Sequence, residues 1–518
     1  MGNNRIYPIG IQNFESLRKD GYLYVDKTAL IYQLATSGRY YFLSRPRRFG
    51  KSLLLSTLDA YFQGKRELFR GLAMEELEKN WTVRPVLHLD LNLGKYDTPE
   101  SLDAMLDNAL TGWEEIYGTG SAETTPALRF KGVIQRAVEK TGHRVAILVD
   151  EYDKPMLQAI GDEHLQEAFR NTLKPFYGVL KTMDGYIKLG FLTGVTKFGK
   201  VSVFSDLNNL IDLSMNQQYS SLCGITDEEL TSNFDEDIRA LAAAQSISYE
   251  QCCAELRLRY DGYHFGYDTP ALYNPFSLLN TFFNMRFGSY WFATGTPSYL
   301  VYLLQKHHYN LEQIEHVETT EAVLDSIDPD STNPIPVIYQ SGYLTIKDYD
   351  REFGIYTLGY PNKEVEEGFV EYLMPFYTNT DKINSSFEIR KFVSEVRSGD
   401  IDGFFLRLQS FFADTPYELA RQLELHYQNV LFIIFRLVGF YTRVEYHTAR
   451  GRIDLVLQTD RYIYVMEFKL DGTAEEALAQ IEEKQYAAPF ASDPRHLFKI
   501  GVNFSNEQRN IERWIVEG

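Results

Sequence analysis

The sequence predicts an α/β protein: a parallel sheet carrying a phosphate-binding loop, a helical lid and linker after it, and a second, smaller α/β domain at the C-terminus. Three observations lead there. An apolar run, Tyr40 to Ser44, passes through Arg45-Pro46-Arg47-Arg48-Phe49-Gly50-Lys51-Ser52 into a Leu-rich helical pattern. A second run, Val145 to Val149, is too short for a helix and ends in Asp150 and Glu151, as a buried strand delivering acids to a sheet edge would. Near the C-terminus two alternating segments flank a polar turn at Asp460-Arg461.

Strand, loop and helix in that order are what a phosphate-binding loop needs, because backbone N–H groups at a helix N-terminus face an anion. The backbone of Arg48, Phe49, Gly50, Lys51, Ser52 and Leu53 would then wrap the phosphates of ATP. Lys51 would sit on the β- and γ-phosphates and the Ser52 hydroxyl on Mg²⁺. Arg45 stands where GxxxxGK[ST] has its first glycine, and a basic helix-capping turn is the plainer reading of this stretch alone. On the second run, Asp150 would hold Mg²⁺ and its water shell and Glu151 would orient or deprotonate the attacking water. Acids at a strand end also serve as helix caps. The two signals in this order, with one strand between them, favour an ATP-binding domain.

The length of 518 residues suggests about three domains. With 71 acidic and 52 basic residues the net charge is −19, which argues against a protein that coats nucleic acid indiscriminately but leaves room for a local basic groove. Cys223, Cys252 and Cys253 have no disulfide or metal-ligand spacing and read as small buried hydrophobes in a reducing interior. No signal peptide is recognisable in the polar opening, and the most apolar run, Val430 to Phe440, is interrupted by Arg436 and too short to span a bilayer. A cytoplasmic protein with no membrane partner is expected.

Taken in order, Tyr22 to Thr28 leads into an amphipathic helix, Ala29 to Ala35, where it would cover the adenine or simply pack on the sheet edge. Pro85 to Leu91 reads as a strand, 99 to 139 as helices, and Tyr186 to Gly194 as a further strand with Thr196 and Lys197 beyond it. Strands alternating with helices imply a parallel sheet with ligands at its carboxyl end. A strand between the loop and the acids is the order of ATPases carrying a catalytic glutamate. Thr193 or Thr196 would be a polar sensor of the γ-phosphate, or a turn residue. Arg47, Arg48, Arg170 and Lys174 are candidates for neutralising transition-state charge, with ion pairing the plainer role. Thr226-Asp227-Glu228-Glu229 opens a helical region as a cap with an acidic first turn. Residues 281–420 mix helices with short strands at Tyr343 to Ile346 and Gly354 to Leu358 and show no chemistry.

The segments YVDKT, RPRRFGKSLLLSTLDAYF, LVDEYDKP, FLTGVTKFGKVSVFSDLNNL, YDGYHFG and LYNPFSLL resemble, in order and over nearly the whole chain, the bacterial and archaeal AAA-ATPase-like proteins. That resemblance implies a P-loop NTPase core and a nuclease-like C-terminal domain, and it makes Arg45 a family trait. The domains expected are a P-loop ATPase domain at 1–224, a lid at 225–300, a linker at 301–415 and a nuclease-like domain at 416–518.

If Asp460-Arg461 is the turn, Asp454 lies opposite Glu467 across the hairpin, and the period of two puts Lys469 on the same face. Ile453, Leu455, Leu457, Tyr464, Met466 and Phe468 line the other face. Two opposed carboxylates repel unless a cation sits between them, and a divalent metal fits. This Asp…Glu-x-Lys pattern resembles the PD-(D/E)xK nucleases, with Ile453 where Pro is common. The resemblance implies Mg²⁺ or Mn²⁺ held by Asp454 and Glu467, Lys469 orienting the nucleophile, Glu424 on a preceding helix, and Gln480 with Tyr486 on the following one. The plainer alternative is a surface hairpin whose Glu and Lys pair with each other. Arg443, Arg450 and Arg452 cluster nearby and could meet a phosphate backbone.

The sequence therefore points to a P-loop ATPase coupled to a metal-dependent nuclease acting on DNA or RNA, with oligomers open. The alternative from another class is a nucleotide-dependent scaffold for a protein partner that retains an inactive nuclease fold.

Overall fold

The computed structural model describes residues 5–198, 209–292, 298–325, 327, 333–378, 385–413, 423–439, 441, 443–449 and 452–518. The chain forms two compact units, Met1–Leu300 with His316–Val365, and Val301–Glu315 with Glu366–Gly518.

The first unit is built on β1 (Tyr40–Ser44), β2 (Val86–Asp90), β3 (Val145–Asp150), β4 (Ile187–Gly194) and β5 (Ile211–Asp212). Their order is β2-β3-β4-β1-β5, and every neighbouring pair is parallel. β1 and β3 are buried at every position, which is why they read as unbroken apolar runs and not as alternating ones. In space the strand between the loop strand and the acid strand is β4, which enters later in the chain. The carboxyl ends of β1, β4 and β3 therefore lie side by side, with Ser44 beside Gly194 and Val149 beside Leu192.

Helices cover the sheet. Pro99–Tyr117 buries Leu102, Leu106 and Leu110 at four-residue steps, one stripe of a 3.6-residue helix. Its Trp113 stacks on Phe130 of helix Pro126–Thr141, which stacks on Phe176 of helix Glu163–Thr182. Thr226 caps helix Asp227–Gln245, with Glu229 completing a capping box. That helix, Tyr249–Tyr260 and Pro275–Asn284 enclose a core of Leu230, Phe234, Ile238, Leu256, Tyr260 and Phe282. An antiparallel sheet, β6 (Val317–Thr320), β7 (Thr345–Asp350) and β8 (Ile355–Gly359) in the order β6-β8-β7, completes the unit.

The second unit holds β9 (Arg443–Ala449), β10 (Arg452–Gln458), β11 (Tyr462–Leu470), β12 (His496–Ser505) and β13 (Asn510–Glu517), ordered β13-β12-β11-β10-β9. Only β11 and β12 pair in parallel; the connection between them is helix Ala474–Glu483, which packs on the sheet. Gly501 on β12 makes this packing possible, since a Cβ there would collide with the Ala474 carbonyl and lie 2.6 Å from the Leu478 nitrogen. On the opposite face, Phe468 meets Phe435 of helix Leu423–Gly439, and the Tyr464 hydroxyl donates to the Val396 carbonyl.

Cys223 and Cys252 are buried and Cys253 partly so, all as free thiols. Among the described residues no helix is long and apolar enough to cross a membrane.

Candidate nucleotide and metal sites

Helix Lys51–Phe62 starts directly at the end of the loop after β1. Its N-cap is Gly50 at φ 98°, with no side chain capping the first turn. The first-turn N–H groups are thus left for an anion, and only glycine adopts that backbone without cost. Arg48 also has positive φ, 67°. Lys51 is buried, its Nζ donating to the carbonyls of Arg45 (2.8 Å) and Pro46 (3.1 Å). These are neutral acceptors, which a triphosphate outcompetes as a charged one.

At the end of β3, Asp150 is buried; Thr193 Oγ1 donates to its Oδ1 at 2.6 Å and the Glu151 N–H at 3.1 Å. Both bonds fall on one oxygen, so Oδ2 is left to accept further donors or a hydrated cation, and Mg²⁺ fits this residue set with Ser52. Glu151 has φ 50°, a conformation uncommon outside glycine and often found at functional sites. Thr193 is fully buried and gives its hydroxyl to Asp150, and Thr196 gives its own to Asp153 at 2.7 Å. Asp153 also accepts the N–H groups of Val195 and Thr196, and burial pushes its carboxyl up to about 6.

A cleft of about 360 Å³ opens on Arg47, Arg48, Gly50, Lys51, Ser52 and Glu151. It shares Pro8, Gly50, Leu53, Pro275 and Leu279 with a mostly apolar cavity of about 110 Å³ bounded by Tyr24, Val25, Ile31 and Phe234. The ring of Phe49 is buried edge-on against Tyr263 and Phe265, so only its backbone is available to phosphate. Arg48 lies over the Phe276 ring. Arg170 and Lys174 lie on helix Glu163–Thr182 and do not line the cleft.

Sequence reasoning missed three features here. Asn92 and Lys154 line the cleft, with Lys154 Nζ bound to the Asn92 side chain and carbonyl; only the position of Lys154 three residues past Glu151 signalled it. Arg45 turns inward. It is 1% exposed, donates to the carbonyls of Ser44, Ser214 and Ser220, and stacks over Phe265, and burial lowers its pKa to about 10.

In the second unit, Asp454 pairs with Glu467 across the hairpin and Arg452 with Lys469, as the turn at 460–461 requires. Glu467 has no solvent exposure, and its Oε1 lies 3.3 Å from Lys469 Nζ. Lys469 also donates to the Gln480 side chain of helix Ala474–Glu483. Leu455, Leu457, Tyr464, Met466 and Phe468 are buried on the opposite face, but Ile463 and Val465, on the acid's own face, are buried too, under Ile481 and Ala487. Helix Ala474–Glu483 covers that face at Ile463 and Val465, while Lys469, on the same face, is 22% exposed. Tyr486, expected on this helix, falls in the turn beyond its Lys484 cap and packs against that cluster. The backbones of Asp454 and Glu424 lie on β10 and helix Leu423–Gly439; their side chains, those of Ile453, Arg443 and Arg452, and all of Arg450 and residues 199–208, lie outside the described residues. Two opposed acidic positions with a lysine fixed beside them suit a hard divalent cation with oxygen ligands.

Residues 8–204 match the family model described as a predicted AAA-ATPase, and residues 422–514 match a model of the PD-(D/E)XK nuclease superfamily. An uncharacterized protein in the vnfD 5′ region of Azotobacter chroococcum mcd 1 is 35% identical over 522 residues, spanning 98% of each chain. The ORC2 protein of Aeropyrum pernix, solved as ADPNP-ADP complexes, aligns at 9% identity over 70% of this chain and 91% of that one with a TM-score of 0.23. At that score the likeness carries no weight beside the strand order.

Proposed function

The chain belongs to the AAA-ATPase-like family with a C-terminal PD-(D/E)XK nuclease superfamily domain, and from that premise we propose that it binds and hydrolyses ATP in the first unit and cleaves nucleic-acid phosphodiesters in the second. The observation that carries the nuclease half is the register placing Asp454 opposite Glu467, with Lys469 fixed on the same strand.

In the first unit the uncapped turn at Gly50 and Lys51 bind the phosphates, and the apolar cavity beside Tyr24 and Val25 receives the base. Asp150, held by Thr193, and Ser52 would hold Mg²⁺. Glu151 orients and deprotonates the attacking water. Residues 225–300 act as a lid, and nucleotide binding in the first unit gates the second site through the points where the chain passes between the units, at 300–301, 315–316 and 365–366.

In the second unit Asp454 and Glu467 would hold Mg²⁺ or Mn²⁺, which when bound polarises the scissile phosphate and lowers the pKa of a water. Lys469, positioned by Gln480, orients the nucleophile and offsets developing negative charge. The test is a panel of single- and double-stranded DNA and RNA incubated with Mn²⁺, with and without ATP. Cleavage that Asp454→Ala abolishes supports the reading; no cleavage of any substrate by folded protein defeats it.

One observation favours a second reading, a nucleotide-switched scaffold: Glu467 is wholly enclosed next to Lys469, as a structural ion pair would be. Calorimetric titration with Mn²⁺ separates the two, since the scaffold takes up no metal that Glu467→Gln removes.

A further inference from the structure

The phosphate loop lacks its first glycine, and its shape is held partly by its own lysine and partly from outside. Three successive carbonyls are engaged: those of Arg45 and Pro46 by Lys51, and that of Arg47 by the indole N–H of Trp291 at 3.1 Å. Trp291 lies more than two hundred residues away in sequence and is 5% exposed. It is anchored in turn by Glu364, whose Oε1 accepts the backbone N–H groups of Tyr290 (2.5 Å) and Trp291 (2.8 Å). Glu364 is 1% exposed, so this buried carboxyl is placed against two adjacent main-chain donors at the one tryptophan that reaches the loop. Gly342, at φ 89°, completes the enclosure: a Cβ there would come within 2.5 Å of Pro46 Cγ.

In a trans peptide the carbonyl of one residue and the N–H of the next point in opposite directions. Fixing the Arg47 carbonyl therefore aims the Arg48 N–H, and Arg48 already sits in the left-handed conformation that turns the loop. A glycine-rich loop reaches such a shape through its own freedom. Here Pro46, Arg47 and Arg48 lack that freedom, and the shape is imposed by Lys51 and by contacts from distant segments.

Resting on the reading of this loop as the triphosphate site, we infer that Trp291 and Glu364 are positioning residues of the nucleotide site: the carboxyl holds the tryptophan, and the indole N–H sets the peptide that meets the phosphates. Trp291 and Glu364 do not line the cleft, so they act through Arg47 and Arg48.

The experiment is a double-mutant cycle on the full chain, read by the affinity for a fluorescent ATP analogue with Mg²⁺. Trp291→Phe keeps the ring and removes the N–H, and is expected to weaken binding about three- to tenfold, the range of one neutral hydrogen bond. Glu364→Met should weaken it similarly, and Glu364→Gln, which keeps an acceptor oxygen, should stay within about twofold of wild type. The double variant Trp291→Phe/Glu364→Met should be no weaker than the worse single one, because the two act in series. Melting curves identify any variant that is not folded; if Trp291→Phe is not, Glu364→Met against Glu364→Gln decides alone. Unchanged affinity in both folded single variants, or full additivity, overturns the inference while leaving the triphosphate reading standing. Folded wild-type protein that binds no analogue overturns both.

Discussion

The two candidate sites hold their lysines differently. Lys51 rests on two carbonyls of its own loop, neutral dipoles that an incoming phosphate displaces at little cost. Lys469 is held by a side-chain amide and by a carboxylate with no solvent exposure. The first site is preformed and waiting for charge; the second already contains it. A buried charge that has lost its partner is costly, whereas a lysine released from carbonyls is not. Substitutions at equivalent lysines should therefore do different things: one should change ligand affinity, the other the fold itself.

Of the effects that separate the two lysines, the largest expected is on affinity. Lys51→Ala should weaken nucleotide binding by about a hundredfold or more, since charge-assisted contacts to phosphate are lost, with the unfolding of the ligand-free protein unchanged. A large drop in the melting temperature of the ligand-free protein would erase the contrast. In the second unit Lys469→Met should lower stability by about 3 kcal/mol by stranding Glu467, measured by denaturant unfolding. The double variant with Glu467→Gln should recover most of that loss. Gly501→Ala should cost about 1 to 3 kcal/mol through overpacking against helix Ala474–Glu483, and should disturb Gln480 and hence Lys469.

The pH responses should also diverge. In the first unit burial raises Glu364 from 4.5 to about 7 and Asp153 from 3.8 to about 6. The folded state then binds more protons than the unfolded one, so their contribution is full below about pH 4 and is lost as pH rises through 6 to 7. In the second unit burial lowers His426 from 6.5 to about 4, so its contribution is full above 6.5 and is lost as pH falls towards 4. Melting curves from pH 4.5 to 8 should show Glu364→Gln flattening the first trend and His426→Phe the second. Parallel curves for the two units would contradict this. The smallest effect is at a helix cap: Thr226→Ala should cost about 1 kcal/mol by removing the cap on helix Asp227–Gln245.

What the sequence made legible was local. The loop strand and the acid strand are apolar runs because both their faces are covered, and Asp454 could be set against Glu467 because a hairpin's turn fixes its register. Thr226 announced its helix as a cap followed by the acids of a first turn. The rest depends on residues far apart in the chain. Nothing near Tyr40 or Asp150 shows that β4 will lie between them. Arg45 reads as a defect in a motif until Ser214, Ser220 and Phe265 are seen to receive it. The pairing of Asp454 with Glu467 suggested a polar face, but helix Ala474–Glu483 packs on Ile463 and Val465 of that face, and Glu467 is buried. Trp291, Gly342 and Glu364 carry no motif, and only the fold brings them to the phosphate loop.

The central claim is that the hairpin of the second unit is a working metal site. The most direct measurement is cleavage of a substrate panel in Mn²⁺ by wild-type protein, Asp454→Ala and Lys469→Ala, each checked for folding. Cleavage by wild type that falls about a thousandfold or more in both variants is the expected result, whereas equal cleavage by all three would show that the nuclease chemistry lies elsewhere.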